Sequence, residues 1–300
     1  DEYHQTFNFG YLETPWNKEK LEKVVTESLE VFFAVGAPST WVLSNHDVIR
    51  HATRMGYDQI PRQGDGVGPK YQQPDEAKGQ RRARAASAFM LGLPGGAYIY
   101  QGEELGLPEH TTLDNKYRQD PTFFRTNGER VGRDGCRVPL PWTKDAAGAH
   151  GFSNDKNLKI DKAWLPQSSG WGERAVDTQQ GVTGSFFEMV KAALAIRKGE
   201  PGLGDGQMDW IDVNDDVIAF VRPGKFACYV NFGAADVEFP AANLTHDSKI
   251  RVVNLKLVGA YGSALRGDGD DRAAKGGRDG QSASGCGVAN DVVGSTSGNT

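Results

Sequence analysis

An α/β fold with parallel strands, followed by a small antiparallel β domain, is predicted from three observations. Two short apolar runs, residues 40–43 and 97–100, each end abruptly in polar groups, Asn45-His46-Asp47 and Gln101-Gly102-Glu103-Glu104. A helical pattern precedes each run, and polar groups at the same end of successive strands are what β-to-α units in one parallel sheet produce. Beyond residue 200 the apolar period changes. There Arg222-Pro223-Gly224-Lys225 separates the apolar runs 217–221 and 226–230, a hairpin signature.

The chain opens at Asp1 without a targeting leader. Such an absence points to a cytosolic protein, with the start itself expected to be missing. Thr6-Phe7-Asn8-Phe9 suits a short strand. Residues 18–35 form the clearest helix: Leu21, Val24, Val25, Leu29, Phe32 and Phe33 follow the i, i+3, i+4 rhythm of one buried face. Asn17 is its expected N-cap, and Gly36 with Pro38 closes it.

Trp41, Val42 and Leu43 then suit a buried strand. Asn45, His46 and Asp47 do not, because burial of such groups requires hydrogen-bonding partners. Two readings stand for them. One is a polar cluster delivered at the C-terminal mouth of a (β/α)-barrel, where chemistry is done in that fold. The other is an ordinary turn, which Asn and Asp also favour.

Residues 51–74, rich in Gly, Pro, Gln and Arg, read as a long loop. Residues 75–91 read as a helix with Asp75 and Glu76 at its N-terminus. Residues 106–180 lack a clear period and are too long for an ordinary connection. Tyr117, Phe123, Phe124, Trp142, Phe152, Trp164 and Trp171 lie there among many charges. They suit either a wall facing sugar rings or simple anchors of a long loop. Residues 186–198 return to helical spacing, and residues 237–240 and 250–258 are further strand candidates. Gly, Ser, Asp and Arg dominate residues 259–300, which are expected to be a disordered tail or sequence outside the true reading frame.

Three hundred residues suffice for one large domain, or for one with a smaller companion. A net charge of −5 offers no broad basic surface for nucleic acid. No apolar run reaches the roughly 18 residues of a membrane span. Cys136, Cys228 and Cys286 are far apart and odd in number, as expected of free thiols in a reducing compartment. No metal-ligand spacing occurs, so neither metal nor cofactor is expected.

Several of these stretches together resemble the α-amylase superfamily of glycoside hydrolases, in its α-glucosidase and oligo-1,6-glucosidase branch. Trp41-Val42-Leu43-Ser44-Asn45-His46-Asp47 matches the family's Asn-His-Asp motif at the end of the seventh barrel strand. Residues 97–106, Ala-Tyr-Ile-Tyr-Gln-Gly-Glu-Glu-Leu-Gly, resemble its eighth strand. Gln119-Asp120-Pro121 and Gly132-Arg133-Asp134-Gly135-Cys136-Arg137-Val138-Pro139-Leu140-Pro141-Trp142 resemble the segments that mark the α-glucosidase branch. The resemblance covers roughly residues 1–255. It implies the last three strands of a (β/α)8 TIM barrel within residues 1–200, a partial β domain over 201–258, and an N-terminally truncated sequence.

The resemblance further implies retaining hydrolysis of terminal α-glucosidic bonds in oligosaccharides. Asp47 matches the third carboxylate, which holds sugar hydroxyls more tightly as the ring approaches an oxocarbenium-like state. His46 matches a residue that binds the same ring. Arg137 resembles the arginine that closes the pocket around the terminal glucose, a target well suited to a guanidinium fork. The family's nucleophile and acid/base motifs occur nowhere in these residues. Glu103 and Glu104 end the neighbouring strand, but the resemblance makes them structural. Three readings remain open: the later part of an α-glucosidase, a sugar-binding remnant without chemistry, and a split enzyme completed by another chain. Transglycosylation and isomerisation share the same covalent intermediate and stay open as well.

Overall fold

The structure is a computed structural model, which describes residues 5–222, 226–233, 235 and 237 with their side chains, and the backbone of 248–249 and 291–296. The order of elements begins with helix α1 (Phe9–Glu13), helix α2 (Lys18–Ala34) and strand β1 (Thr40–Val42). Two further helices follow, the single turn α3 (His51–Arg54) and α4 (Glu76–Gly92), before strand β2 (Gly96–Tyr98). Residues 106–180 carry short turns of helix: α5 (Pro121–Arg125), α6 (Ala147–Gly151) and α7 (Val176–Gln179). Helix α8 (Phe186–Gly199) then leads into β3 (Asp209–Trp210), β4 (Val217–Arg222) and β5 (Phe226–Asn231). Strands β6 (Ser248–Lys249) and β7 (Asp291–Thr296) complete the described elements.

Helix α2 forms where its periodicity and caps place it. Asn17 Oδ1 accepts the Lys20 N–H at 2.9 Å, and Gly36 leaves the helix at φ +67°. Leu21 and Val25 are buried on its inner face, whereas Phe33, expected there, is exposed. Residues 6–9 are not a strand. Asn8 donates one backbone hydrogen bond to the Thr40 carbonyl, but its side chain caps Tyr11 N and turns the chain into α1.

Strands β1 and β2 pair in parallel, Thr40 with Gly96 and Val42 with Tyr98. β1 is wholly buried, while Tyr98 is exposed and packs its ring edge-on to Phe7 at 5.0 Å. Helix α4, capped by Asp75 on Lys78 N at 2.8 Å, is buried all round from Ala85 to Gly92. Among the described residues no helix is long and apolar enough to cross a membrane.

The hairpin falls where expected, with Val217 opposite Asn231 and Arg222 opposite Phe226. It is not a self-contained unit, because its core is continuous with that of the helices. Phe220 meets Phe89 of α4 edge-on at 5.7 Å and Trp210 at 6.0 Å. Arg222, fully buried, donates to the Gly92 carbonyl at the end of α4 (3.1 Å) and to the Gln207 and Gly204 carbonyls (2.9 and 3.0 Å). A cation there also complements the negative end of the helix dipole. Within the stretch expected to be disordered, Asp291–Thr296 pairs antiparallel with β5, Cys228 opposite Val293. Val292, Val293 and Thr296 suit a strand, and β5 offers it an edge. Val237 is not in a strand, and residues 238–240 and 250–258 lie outside the described residues.

Because one core joins helices and hairpin, Phe220→Ala is expected to destabilise the chain by about 3–5 kcal/mol. Unfolding in denaturant, followed by tryptophan fluorescence and far-ultraviolet dichroism, should still give one coincident transition at a lower midpoint. Separate transitions would contradict a shared core.

Candidate active site

The candidate site lies just beyond the end of β1, where residues 45–47 form the turn that their composition favours. Asn45 is buried, and its Oδ1 accepts the Asp47 N–H at 2.8 Å. That side-chain turn reverses the backbone and puts His46 and Asp47 at the surface, directly beyond a buried strand. The His46 Nε2 and Asp47 Oδ2 atoms lie 3.4 Å apart.

Arg137 follows a turn of 3-10 helix at Asp134–Cys136. Its Nε donates to the His46 carbonyl at 2.8 Å and its Nη2 to Asp47 Oδ1 at 2.9 Å. His46, Asp47 and Arg137, some ninety positions apart in sequence, therefore share one cluster. Arg133 also belongs to it: its Nη1 donates to Asp47 Oδ1 at 2.6 Å. On its other side, Arg133 Nε donates to Asp120 Oδ2 at 2.6 Å.

Asp120 is buried and heavily bonded. Its Oδ1 accepts Thr122 N at 2.8 Å, starting α5, and its Oδ2 also accepts Arg133 N at 2.9 Å. Burial pushes its carboxyl up, but the Arg133 guanidinium and the Thr122 and Arg133 N–H groups outweigh this and hold it well below the usual carboxylate range. Asp134 ties the same loops together, its Oδ2 accepting Gln119 N and Asp120 N at 2.8 and 3.0 Å. Gly132 permits the approach: it sits at φ +73°, and a Cβ there would lie 2.7 Å from Asp120 Cβ.

Asp120 and Arg133 were not singled out from sequence. Both lie in segments that resemble the α-glucosidase branch, yet an Asp and an Arg thirteen positions apart in an aperiodic loop carry no geometric signal. Glu103 and Glu104 take structural positions. Glu104 Oε2 accepts Gly102 N at 2.8 Å, and Glu103, buried, accepts Tyr100 N at 3.2 Å with His51 Nδ1 3.7 Å away. Of the aromatics in residues 106–180, Trp171 is buried and Tyr117 packs against the same cluster. Phe124, Trp142, Phe152 and Trp164 are exposed, with Trp164 Nε1 donating to Gln119 Oε1 at 3.0 Å. Among the described residues no group of three or more His, Cys, Asp or Glu side chains is arranged to hold a metal ion.

The alpha amylase, catalytic domain family matches residues 4–206 of the chain. Among curated proteins, a probable alpha-glucosidase of Rhizobium meliloti (strain 1021) is 32% identical over 209 residues, 68% of this chain and 33% of that protein. Maltase A1 of Drosophila melanogaster is 27% identical over 227 residues, 73% of this chain and 33% of that protein. The chain thus spans about a third of the length of these relatives. Among solved structures, an alpha-glucosyl transfer enzyme, XgtA, superposes with a TM-score of 0.65 at 28% identity, over 86% of this chain and 44% of that one. A trehalose-6-phosphate hydrolase of Bacillus licheniformis shares the fold with a TM-score of 0.61 at 21% identity, over 87% and 49% of the two chains.

Burial beneath the site has a consequence for pH. It pushes the Glu103 carboxyl from 4.5 up to about 8, against the opposing pull of the Ser44 hydroxyl, the Tyr100 N–H, Arg54 and Arg50. Glu103 is then protonated in the folded chain and ionised in the unfolded one between those values. Its contribution to stability is present below pH 4.5 and lost as pH rises through about 8. His51 works in the other direction: burial, then the Arg54 and Arg50 charges, push it from 6.5 down to about 3. Its contribution is present above pH 6.5 and lost as pH falls through 3. Glu103→Gln keeps the acceptor for Tyr100 N and cannot ionise. Relative to the parent it should gain stability from pH 5 to pH 9, by on the order of 3 kcal/mol, in denaturant titrations at each pH. A constant difference between variant and parent would show that Glu103 ionises normally.

Proposed function

Since the chain belongs to the alpha-amylase catalytic-domain family, we propose that it is the later part of the catalytic barrel of a retaining α-glucosidase acting on terminal α-glucosidic bonds in oligosaccharides. The observation that carries this reading is Asp47: an ionisable group beyond the C-terminal end of a buried parallel strand, beside His46 and held by two guanidinium groups. In a (β/α)8 barrel that is the catalytic end. β1 and β2 are then two adjacent strands of the barrel, and residues 106–180 form one wall of its mouth.

In retaining hydrolysis one carboxylate attacks the anomeric carbon and forms a glycosyl-enzyme, while a carboxylic acid protonates the leaving oxygen and later activates water. Asp47 takes neither role. It is the third carboxylate, accepting hydroxyl hydrogen bonds from the glucose ring and facing the positive charge that develops on it. His46 presents its ring to the same sugar, and Arg137 holds both the His46 carbonyl and Asp47 in place. The nucleophile and acid/base are supplied by sequence other than these residues. Glucosyl transfer is the second reading, favoured by the 28% identity to an alpha-glucosyl transfer enzyme. It differs only in whether a sugar hydroxyl or water accepts the glucosyl group.

In the full-length enzyme, Asp47→Asn keeps the shape and removes the charge, at a cost on the order of 3 kcal/mol, roughly a hundredfold or more in kcat. Binding of ground-state sugar should change much less. Near-normal turnover of an aryl α-glucoside by this variant would sink the assignment of Asp47. Product analysis with added oligosaccharide separates hydrolysis from transfer. The present 300 residues alone should release aryl alcohol only at the background rate of an Asp47→Ala control. Turnover abolished by that control would place a complete catalytic set within them.

A further inference from the structure

We infer that Asp120, acting through Arg133, is a positioning residue for Asp47: it holds that carboxylate in one orientation and balances its charge, leaving Asp47 Oδ2 for the substrate. This rests on the reading that Asp47 serves an α-glucoside site. The chain of contacts is continuous. Asp120, with no exposed side-chain surface, takes Arg133 Nε on Oδ2 at 2.6 Å, while Arg133 Nη2 lies 3.4 Å from Oδ1. The backbone N–H groups of Thr122 and Arg133 fix the Asp120 carboxylate itself, at 2.8 and 2.9 Å. Arg133 therefore has one orientation available, and its remaining edge places Nη1 on Asp47 Oδ1 at 2.6 Å.

Both guanidinium contacts fall on the same oxygen of Asp47, since Arg137 Nη2 also donates to Oδ1 at 2.9 Å. Oδ2 takes neither contact and has the His46 ring 3.4 Å away. One oxygen is locked by two guanidinium groups and the other, on a half-exposed side chain, has the His46 ring beside it, an arrangement suited to a vicinal hydroxyl. The charges matter equally. Two arginines on one carboxylate give an excess of positive charge, a poor environment for an oxocarbenium-like transition state. Asp120 removes that excess: Asp47 and Asp120 balance Arg133 and Arg137.

The test uses the full-length enzyme with an aryl α-glucoside, comparing Arg133→Gln, Arg133→Lys, Asp120→Asn and the Asp120→Asn/Arg133→Gln double variant. Each single replacement by Gln or Asn should lower kcat by about tenfold or more, with KM changed less than about twofold. Arg133→Lys, which keeps the charge and loses the fork, should fall between parent and Arg133→Gln. Because Asp120 acts only through Arg133, the double variant should be no slower than the slower single variant. Additive losses would overturn the proposal, since Asp120 would then act on something other than Arg133. Arg133 is partly exposed, so Arg133→Gln should fold even where Asp120→Asn does not, and its unchanged kcat would by itself overturn the proposal. The parent's own turnover, measured beside Asp47→Asn, reports separately on the α-glucosidase reading. A parent with no turnover would overturn both.

Discussion

The buried guanidinium of Arg50 is the contact on which the rest of this arrangement depends. It lies three residues beyond Asp47, almost wholly removed from solvent. Its Nη1 donates to the Gln101 carbonyl just after β2, and its Nη2 to the Cys136 carbonyl in the turn before Arg137, both at 2.8 Å. The Tyr100 ring faces it at 4.9 Å, and its backbone N–H donates to Glu109 Oε2 at 3.0 Å. One side chain thus joins the ends of two parallel strands to the loop that returns across them. Burial of such a charge is costly without partners, and the carbonyls that meet its Nη1 and Nη2 come from separate segments, so a shared requirement holds those segments in register. The distance between Asp47 and Arg137 follows from that register.

Below this layer the strand ends are sealed by polar groups that never reach solvent. Arg54 donates to the Leu43 and Ile49 carbonyls at 2.7 and 2.9 Å, closing the chain reversal that Asn45 begins. Ser44 Oγ accepts His51 N at 2.9 Å and lies 3.4 Å from His51 Nδ1, the ring nitrogen that Glu103 Oε1 also approaches at 3.7 Å. The floor is buried and several of its hydrogen-bonding groups meet one another, while His46 and Asp47 above it reach solvent. A buried floor under an open carboxylate keeps that group in place without covering it.

Much of this was legible because it is local. Asn17 and Asp75 announce helix starts through contacts three residues away, and the hairpin announces itself through its turn. His46, Asp47 and Arg137 were legible through resemblance, and their meeting in space needed the fold. The parts that escaped are set by distant partners. Phe33 has the spacing of a core residue but lies beyond the surface that Leu21 and Val25 cover. Thr6 to Phe9 has strand composition, yet Asn8 fixes its path, donating through its side chain to Ser28 Oγ at 2.8 Å and through its N–H to the Thr40 carbonyl at 3.0 Å. Asp120 and Arg133 look like ordinary loop charges until Gly132 lets the two segments touch. Nothing in an alternating strand pattern tells whether its inner face meets another sheet or a helix, so the joining of the hairpin to α4 was invisible.

That joint core bears on how such proteins diversify. Phe220 and Arg222 of the hairpin complete the packing and the carbonyl bonding of α4, and a Cβ added at Gly92 would lie 3.1 Å from the Phe220 ring, so that ring would have to give way. The β segment is therefore no cassette that recombination can trade freely between lineages. An ancestor exchanging it alone would inherit a mismatched helix end. Only exchanges that carry α4 along with the strands keep the seam intact, and change on one side of the seam constrains the other.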